Sequence, residues 1–492
     1  MAAILPLDLL TAIGSYLDEG GAPLAPYTAV CRRWQAAFEP IIYSRKLVIH
    51  SDNGGTEPPS SAISVDKFQA LTSGAGATRR AWIRQLRYII NVPYELPDWT
   101  SRKHKGYRLQ NPVRAANNEA FKSAIFKLFQ VLSTWDRNNR LYLELSLVGH
   151  QPGEEPFTSY CPDAWECTGD FTNGRTKATK PYRAYFPEND ASMLPYVFCI
   201  NTLAFVDLWD PDNGLRNHQI WARTIFQIVQ HCPTIVELHV DLDYQTRPDQ
   251  LEYLQARRQA VSDGLAMVPN NLKVFEFTNE LEAPWKDMMS ALNVLSSDTD
   301  SLAMTVRDLS INLRTLKLKN TALNLDFLCP IDSNGRPTLS DLHWPHLETI
   351  ELNYVPCWLP SGEWLTHPTP EYEARIAAIE DWEWIICHSE EGFVDRPVFE
   401  TEQFHRLFIS MGHAAQRMPR LTSIIFQLNS SVHLRFDFRV TTGRNAIATW
   451  FSQVDYRPDH RVAAAWNFSE KDLELVDFGQ AYSVRLTNWP PN

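Results

Sequence analysis

Residue patterns able to bind a metal, attack a substrate or cradle a phosphate each begin somewhere in this 492-residue chain, and none is completed. His343-Trp344-Pro345-His346 offers two imidazoles, but the proline between them fits a loop better than a ligand-bearing element. Cys387-His388 sets a thiol beside a base, yet adjacent residues of a helix point in different directions and do not form a nucleophile with its activator. Asp298 and Asp300, in SSDTDS, resemble half of a calcium loop without the glutamate at its far end. Cys161 and Cys167 are separated by five residues, and no second pair makes them a zinc site. Gly74 and Gly76 lack the Lys-Ser/Thr that follows a phosphate loop. The sequence has no nucleophile elbow, dinucleotide fingerprint or metalloprotease helix pattern. The expectation is a non-catalytic protein with no cofactor and no metal. The one reading with chemistry is a sugar-binding cleft at Trp358, Trp364, Trp382 and Trp384, although aromatic clusters more often fill cores.

The elements behind these residues must therefore position surfaces rather than reactive groups. The length suits two to four domains, or one small domain and one long repetitive one. A net charge of −12 argues against nucleic acid or an anionic membrane as partner. The basic stretch Arg102, Lys103, Lys105, Arg108 reads as a solvated loop, and Arg175, Lys177, Lys180, Arg183 as part of an insertion loop partly ordered by Trp165, Phe171, Tyr182 and Phe186. The eight cysteines are irregularly spaced, several within apolar runs, as expected of buried reduced thiols in the cytoplasm or nucleus. No basic region precedes the first apolar residues, which include Asp8, so no signal peptide is expected. The longest apolar run, Tyr196–Trp209, is broken by Asn201 and Asp207 and is too short to span a membrane.

The first 50 residues read as two short amphipathic helices with more apolar side chains than they can hide against each other. Pro6 suits a first helical turn, and Leu9, Leu10, Ile13 and Leu17 follow at helical spacing until Asp18–Gly21 stops the helix. A second pattern starts near Leu24, runs through Tyr27, Val30, Cys31, Trp34 and Phe38, and is expected to close at Pro40. Such a surplus must be covered by a neighbouring domain or by another protein. Leu5-Pro6, Leu9-Leu10, Ile13, Leu17, Val30-Cys31-Arg32 and Trp34-Gln35 together resemble the F-box, and FEPIIYSRKLVI resembles its fungal form. The Asp18–Pro23 loop is longer and richer in glycine than that family's, and Asp8 stands where the family more often has glutamate. The resemblance implies that Leu5, Pro6, Leu9, Leu10, Ile13, Leu17, Val30, Cys31 and Trp34 form or support a surface for a Skp-type adaptor, and through it a cullin.

From about residue 200 a short strand pattern recurs, with apolar residues at its first, fourth and sixth positions. Copies begin at Leu203, Ile235, Leu272, Leu313, Leu347 and Leu421, spaced by 32, 37, 41, 34 and 74 residues. Pro233, Pro269, Pro345 and Pro419 stand just before four copies, and helical patterns over Gln219–His231, Gln250–Met267 and Thr401–Arg417 precede three. Units of helix, break and strand cannot bury both strand faces alone, so they must stack, with parallel strands. This resembles an irregular leucine-rich-repeat array. The family's asparagine after the strand is present once, at Asn429, and the repeats exceed the regular length.

The expected fold class is α/β: a small N-terminal all-α module at 1–50, a linker at 51–80, and a leucine-rich-repeat-like solenoid at 81–430. Insertions are expected at 93–116, 150–195 and 356–400, with an antiparallel closing element at 431–492 that includes a strand over Val462–Phe468. Side chains alternate along a strand. The outward residues are therefore expected to include Phe205, Asp207 and Trp209, then Glu237, His239 and Asp241, then Glu276, Lys317, Lys319, Glu351 and Asn353. Their mixed charge suits a target protein rather than a polyanion. The whole reads as the substrate-recognition subunit of a Skp–cullin–F-box ubiquitin ligase. The alternative is a repeat scaffold whose N-terminal helices merely cap it.

Overall fold

The computed structural model describes residues 5–51, 62–96, 112–152, 182–187, 190–206, 217–242, 251–279, 292–371, 374, 397–429, 433–441, 445–453, 456–476, 481–487 and 489–490. The chain begins with α1 (Leu7–Glu19), a 3-10 turn at Ala25–Ala29 and α2 (Arg32–Ser44). Pro40 lies inside α2 and does not end it, contrary to the expectation from sequence. The helix continues because Ile41 and Ile42 pack on the cluster formed by Leu10, Leu24, Ala37 and Phe38. Burying two such side chains is worth about 1.5–3 kcal/mol each, against roughly 3 kcal/mol for an internal proline.

The rest is α/β, with a large, mostly parallel central sheet of 16 strands. The first strands are β1 (Leu47–His50), β2 (Ile63–Ser64), β3 (Gln85–Glu95) and β4 (Leu141–Pro152). The short β5 (Arg183–Ala184) and β7 (Asn217–Ile220) pair beside β4. Then come β6 (Ile200–Phe205), β8 (Glu237–Leu242), β9 (Val274–Asn279), β10 (Thr315–Lys319), β11 (Thr349–Pro356) and β14 (Ser423–Asn429). From β1 through β3, β4, β6, β8, β9, β10 and β11 to β14, every neighbouring pair is parallel and spatial order follows chain order. The remaining pair, β12 (Thr366–His367) and β13 (Val398–Phe399), stands apart as a two-stranded sheet. The stretch read as a linker carries β2, α3 (Val65–Leu71) and a 3-10 turn at Gly74–Ala81.

Strict alternation explains how this sheet buries one face. In β8, β9 and β10 the positions Leu238, Val240, Phe275, Phe277, Leu316 and Leu318 are all at most 2% exposed, while the residues between them are half-buried. The buried face is covered by α4 (Pro112–Leu132), α5 (Ala222–Gln230), α6 (Leu251–Leu265), α7 (Ser301–Ser310) and α8 (Thr401–Ala415). Helices α5 and α6 touch closely enough that a side chain at Gly264 would overlap the Phe226 ring. The Ser262 and Thr305 hydroxyls join α6 to α7 at 3.0 Å.

The C-terminal end turns antiparallel through β15 (Arg435–Thr441), β16 (Asn445–Phe451), β18 (Ala481–Thr487) and β17 (Glu474–Val476), extending the same sheet. The strand expected over Val462–Phe468 is instead α9 (His460–Trp466). Asp459 caps it by accepting from the backbone N–H of Arg461 and Val462, three alanines favour it, and Asn467 ends it in the left-handed region.

Burial holds the imidazoles of His405 and His413 below their ordinary pKa, and the same cause acts on His150 and His231. Each is neutral when folded and takes up a proton more readily when unfolded. Below 6.5, the ordinary histidine value, the unfolded chain therefore binds more protons. The stability is complete above that pH and is lost as pH falls through the lowered folded values. Melting temperature is expected to drop on acidification below 6.5, and the slope to flatten when His405 and His413 are both replaced by glutamine, as read by calorimetry across that range.

Candidate docking surfaces

The N-terminal helices keep a core of their own. Leu10, Leu24, Ala37 and Phe38 form its fully buried centre, with Leu5, Ile13, Leu17, Tyr27, Trp34, Ile41 and Ile42 partly buried around it. Helix α1 lies close on α2: a side chain at Gly14 would stand 2.8 Å from the Ile41 methyl. Trp34 stacks between Tyr27 and Phe38, with ring centroids at 5.9 and 5.2 Å. Its indole N–H is buried and has no hydrogen-bond partner among the described residues. Asp18 at the end of α1 pairs with Arg45 at the end of α2.

The nine residues expected at an adaptor surface divide into two sets. Leu10 is wholly internal, and Leu5, Ile13, Leu17 and Trp34 support it. Pro6, Leu9 and Val30 are exposed and Cys31 is half-buried. Leu9 and Val30 are 52% and 57% exposed. Two exposed apolar residues were not singled out from sequence, Leu7 and Tyr16, the latter 77% exposed. Tyr16 stands seven positions after Leu9 and so shares its helix face. That spacing is the signal the sequence carries, and it sets Leu9 and Tyr16 apart from the stripe of Leu10, Ile13 and Leu17.

The module is fixed to the sheet domain mainly by Arg79. Its guanidinium pairs with Glu39 at 2.5 Å, donates to the Leu71 carbonyl at 3.0 Å and lies 5.4 Å from the centre of the Tyr43 ring. Burial pushes the Glu39 carboxyl up, and the hydrogen bonds from Arg79 and Gln35 outweigh that and hold it below the ordinary value. Tyr43 and Leu47 pack on the main core.

The second surface is the outward face of the sheet. One rung runs Arg87, Glu144, Ala204, His239, Glu276, Lys317, Glu351 and Ile425. Its charges pair along the rung: Arg87 with Glu144, His239 with Glu276 at 3.2 Å, and Lys317 with Glu351 at 3.6 Å. Lys46 joins Glu144 as well. The His239 ring also stands 3.9 Å from Glu237, and its hydrogen bond to Glu276 holds that carboxyl below the ordinary value. Lys319 places its ammonium 5.8 Å from the centre of the Tyr354 ring. Thus Glu237, His239, Asp241, Glu276, Lys317, Lys319, Glu351 and Asn353 share one face, as expected. The exception is the earliest copy of the motif. Leu203 pairs with Leu238, so that strand is displaced by three residues from the expected frame: Phe205 falls beside Val240 on the inner face, and Thr202 and Ala204 take the outward register places, where both are buried. Asp207 and Trp209 lie outside the described residues.

The residues with chemical potential fall elsewhere. His343 and His346 are exposed on either side of Trp344, which is fully buried and donates to the Ser310 hydroxyl at 2.8 Å. Asp300 caps α7 by accepting from Ala303 N–H and pairs with Arg258. Cys161, Cys167, Cys387, His388, Trp382 and Trp384 lie outside the described residues, as do Arg102, Lys103, Lys105, Arg108, Arg175, Lys177 and Lys180. Trp358 and Trp364 are half-buried against the main core. Burial raises the thiols of Cys199, to about 12, and of Cys232 and Cys329, which makes them poor nucleophiles. A cavity beside Arg257, Arg258, Asn279 and Trp358 has room only for water-sized occupants. Among the described residues no three histidines, cysteines or carboxylates gather as metal ligands, and no helix is long and apolar enough to cross a membrane.

No family model matches the chain, and no curated protein matches it.

Proposed function

We propose that this chain is the substrate receptor of a Skp–cullin–F-box ubiquitin ligase. Its N-terminal module docks the Skp-type adaptor, and through it the cullin, and the outward face of the sheet holds a target protein. One observation carries the reading. The helical module that resembles the F-box has a core separate from that of the sheet domain and still leaves Leu7, Leu9, Tyr16 and Val30 in solvent. A module that only capped the sheet would turn its surplus apolar surface toward it.

The sheet supports the remainder. Parallel strands laid down in chain order, with helices over the buried face, suit an irregular leucine-rich-repeat-like solenoid that presents its other face to a partner. The contribution to ubiquitin transfer is proximity. A target held by the same chain as the adaptor has its lysines at high effective concentration near the transfer site. Arg79, through Glu39 and the Leu71 carbonyl, ties the adaptor-docking module to the domain that carries the target face.

The test is co-purification with a Skp-type adaptor, before and after deletion of residues 1–50. Binding that disappears on deletion supports the receptor. No binding by the full chain favours a repeat scaffold with no ubiquitin link.

A further inference from the structure

The outward face changes sign between two adjacent strands. On β8 and β9, Glu237 and Glu276 flank His239, and both carboxylate side chains are 42% exposed. On β10, Lys317 stands directly beside Glu276, and Lys319 beside Thr278. The Lys317 side chain is 37% exposed, and at 3.6 Å its pairing with Glu351 is longer than a hydrogen bond. Neighbouring strands lie about 4.8 Å apart, and an extended chain advances about 3.3 Å per residue. A segment crossing the strands therefore passes from the acidic to the basic position in about two residues, a step that keeps both side chains on one side of it.

We propose that the face across β8, β9 and β10 holds an extended partner segment carrying one cationic and one anionic side chain two residues apart, and so on the same side of the segment. The cation lies over the exposed Glu237 and Glu276 carboxylates, on the solvent side of the His239 ring that separates them, and the carboxylate or phosphate lies against Lys317 and Lys319. A uniformly basic segment meets both lysines, and a uniformly acidic one meets both glutamates, so each satisfies only half of the face. The inference rests on reading this face as the target-holding surface. It does not require the adaptor.

Fluorescence anisotropy at physiological ionic strength tests it with three labelled peptides identical but for two positions on one side of an extended chain: Lys-x-Glu, Lys-x-Lys and Glu-x-Glu. Attraction to a chain of net charge −12 by itself ranks the dicationic peptide first. The expected result is that the mixed peptide binds tightest, by about fivefold to tenfold over either other. Lys317→Glu with Lys319→Glu should move the dicationic peptide to first place, and Glu237→Lys with Glu276→Lys the dianionic one. Thermal melting of each variant confirms that the sheet is intact. The proposal is overturned if the wild-type chain binds the dicationic peptide best, binds none of the three, or keeps its ranking through both reversals. Adaptor capture by the same preparations separates the two readings. Failed ranking with the adaptor bound removes only this inference, whereas correct ranking with no adaptor bound removes only the ligase.

Discussion

Leu9→Asp combined with Val30→Asp is expected to abolish the proposed capture of a Skp-type adaptor while the chain melts as the unmodified protein does. Both side chains are more than half exposed, so neither holds the module together. Covering a leucine and a valine at an interface contributes about 1.5–3 kcal/mol each, and every 1.4 kcal/mol is tenfold in affinity. Losing both, and asking a partner to bury two carboxylates, weakens binding by at least about a hundredfold. Quantitative pull-down or calorimetric titration measures it. Leu10→Asp is the informative contrast. Leu10 is fully buried in the module, so that change unfolds the helices and its loss of binding carries no information about the surface. Full adaptor affinity in the double variant would remove Leu9 and Val30 from the interface and take away the observation on which the proposed function stands.

Trp466→Ala has the largest expected cost to stability. The ring is wholly buried, with centroids at 5.2 Å from Phe436, 5.3 Å from Phe438 and 6.2 Å from Trp489. Its indole N–H donates to the Phe408 carbonyl at 2.8 Å, which ties α9 to α8. Gly412 on α8 leaves room for the ring, since a Cβ there would fall 2.7 Å from Trp466 Cδ1. Removal leaves a cavity bounded by rigid aromatic neighbours that cannot collapse, and costs about 3–5 kcal/mol. Chemical denaturation followed by tryptophan fluorescence and circular dichroism reads the shift in midpoint. An unchanged midpoint would mean that the C-terminal strands do not share the cooperative unit of the parallel sheet. Gly412→Ala is expected to cost about 1–3 kcal/mol, because the added Cβ would meet both the Trp466 ring and the Ala465 backbone carbon under 3.0 Å and push α9 away from α8.

The contrast between these two sites follows the way sequence encodes structure. Apolar alternation from Ile235 onward was legible because each strand buries one face, and a single frame satisfies it: Leu238 with Val240, Phe275 with Phe277, Leu316 with Leu318. Around Leu203 two frames satisfied it equally, because Leu203, Phe205, Val206 and Leu208 are all apolar. Pairing of Leu203 with Leu238 chose between them. Over Val462–Phe468 the apolar run was read as a strand, although Asp459 and Asn467 bracketed it with helix caps. Local capping outranks apolar content in a run that short.

By itself the sequence determined the N-terminal helices, the recurrence of helix and strand, and the residues of β8 to β11 that share the outward face. These depend on spacing along the chain, and spacing is fixed by 3.6 residues per helical turn and two per strand repeat. Only the tertiary structure decided which apolar residues of the module stay uncovered, since Leu9 and Leu10 are equally greasy and adjacent, yet one is 52% exposed and the other 0%. It alone decided that Glu276 neighbours both His239 and Lys317, because contacts between strands about 40 residues apart arise from register, and no periodicity within either strand encodes it.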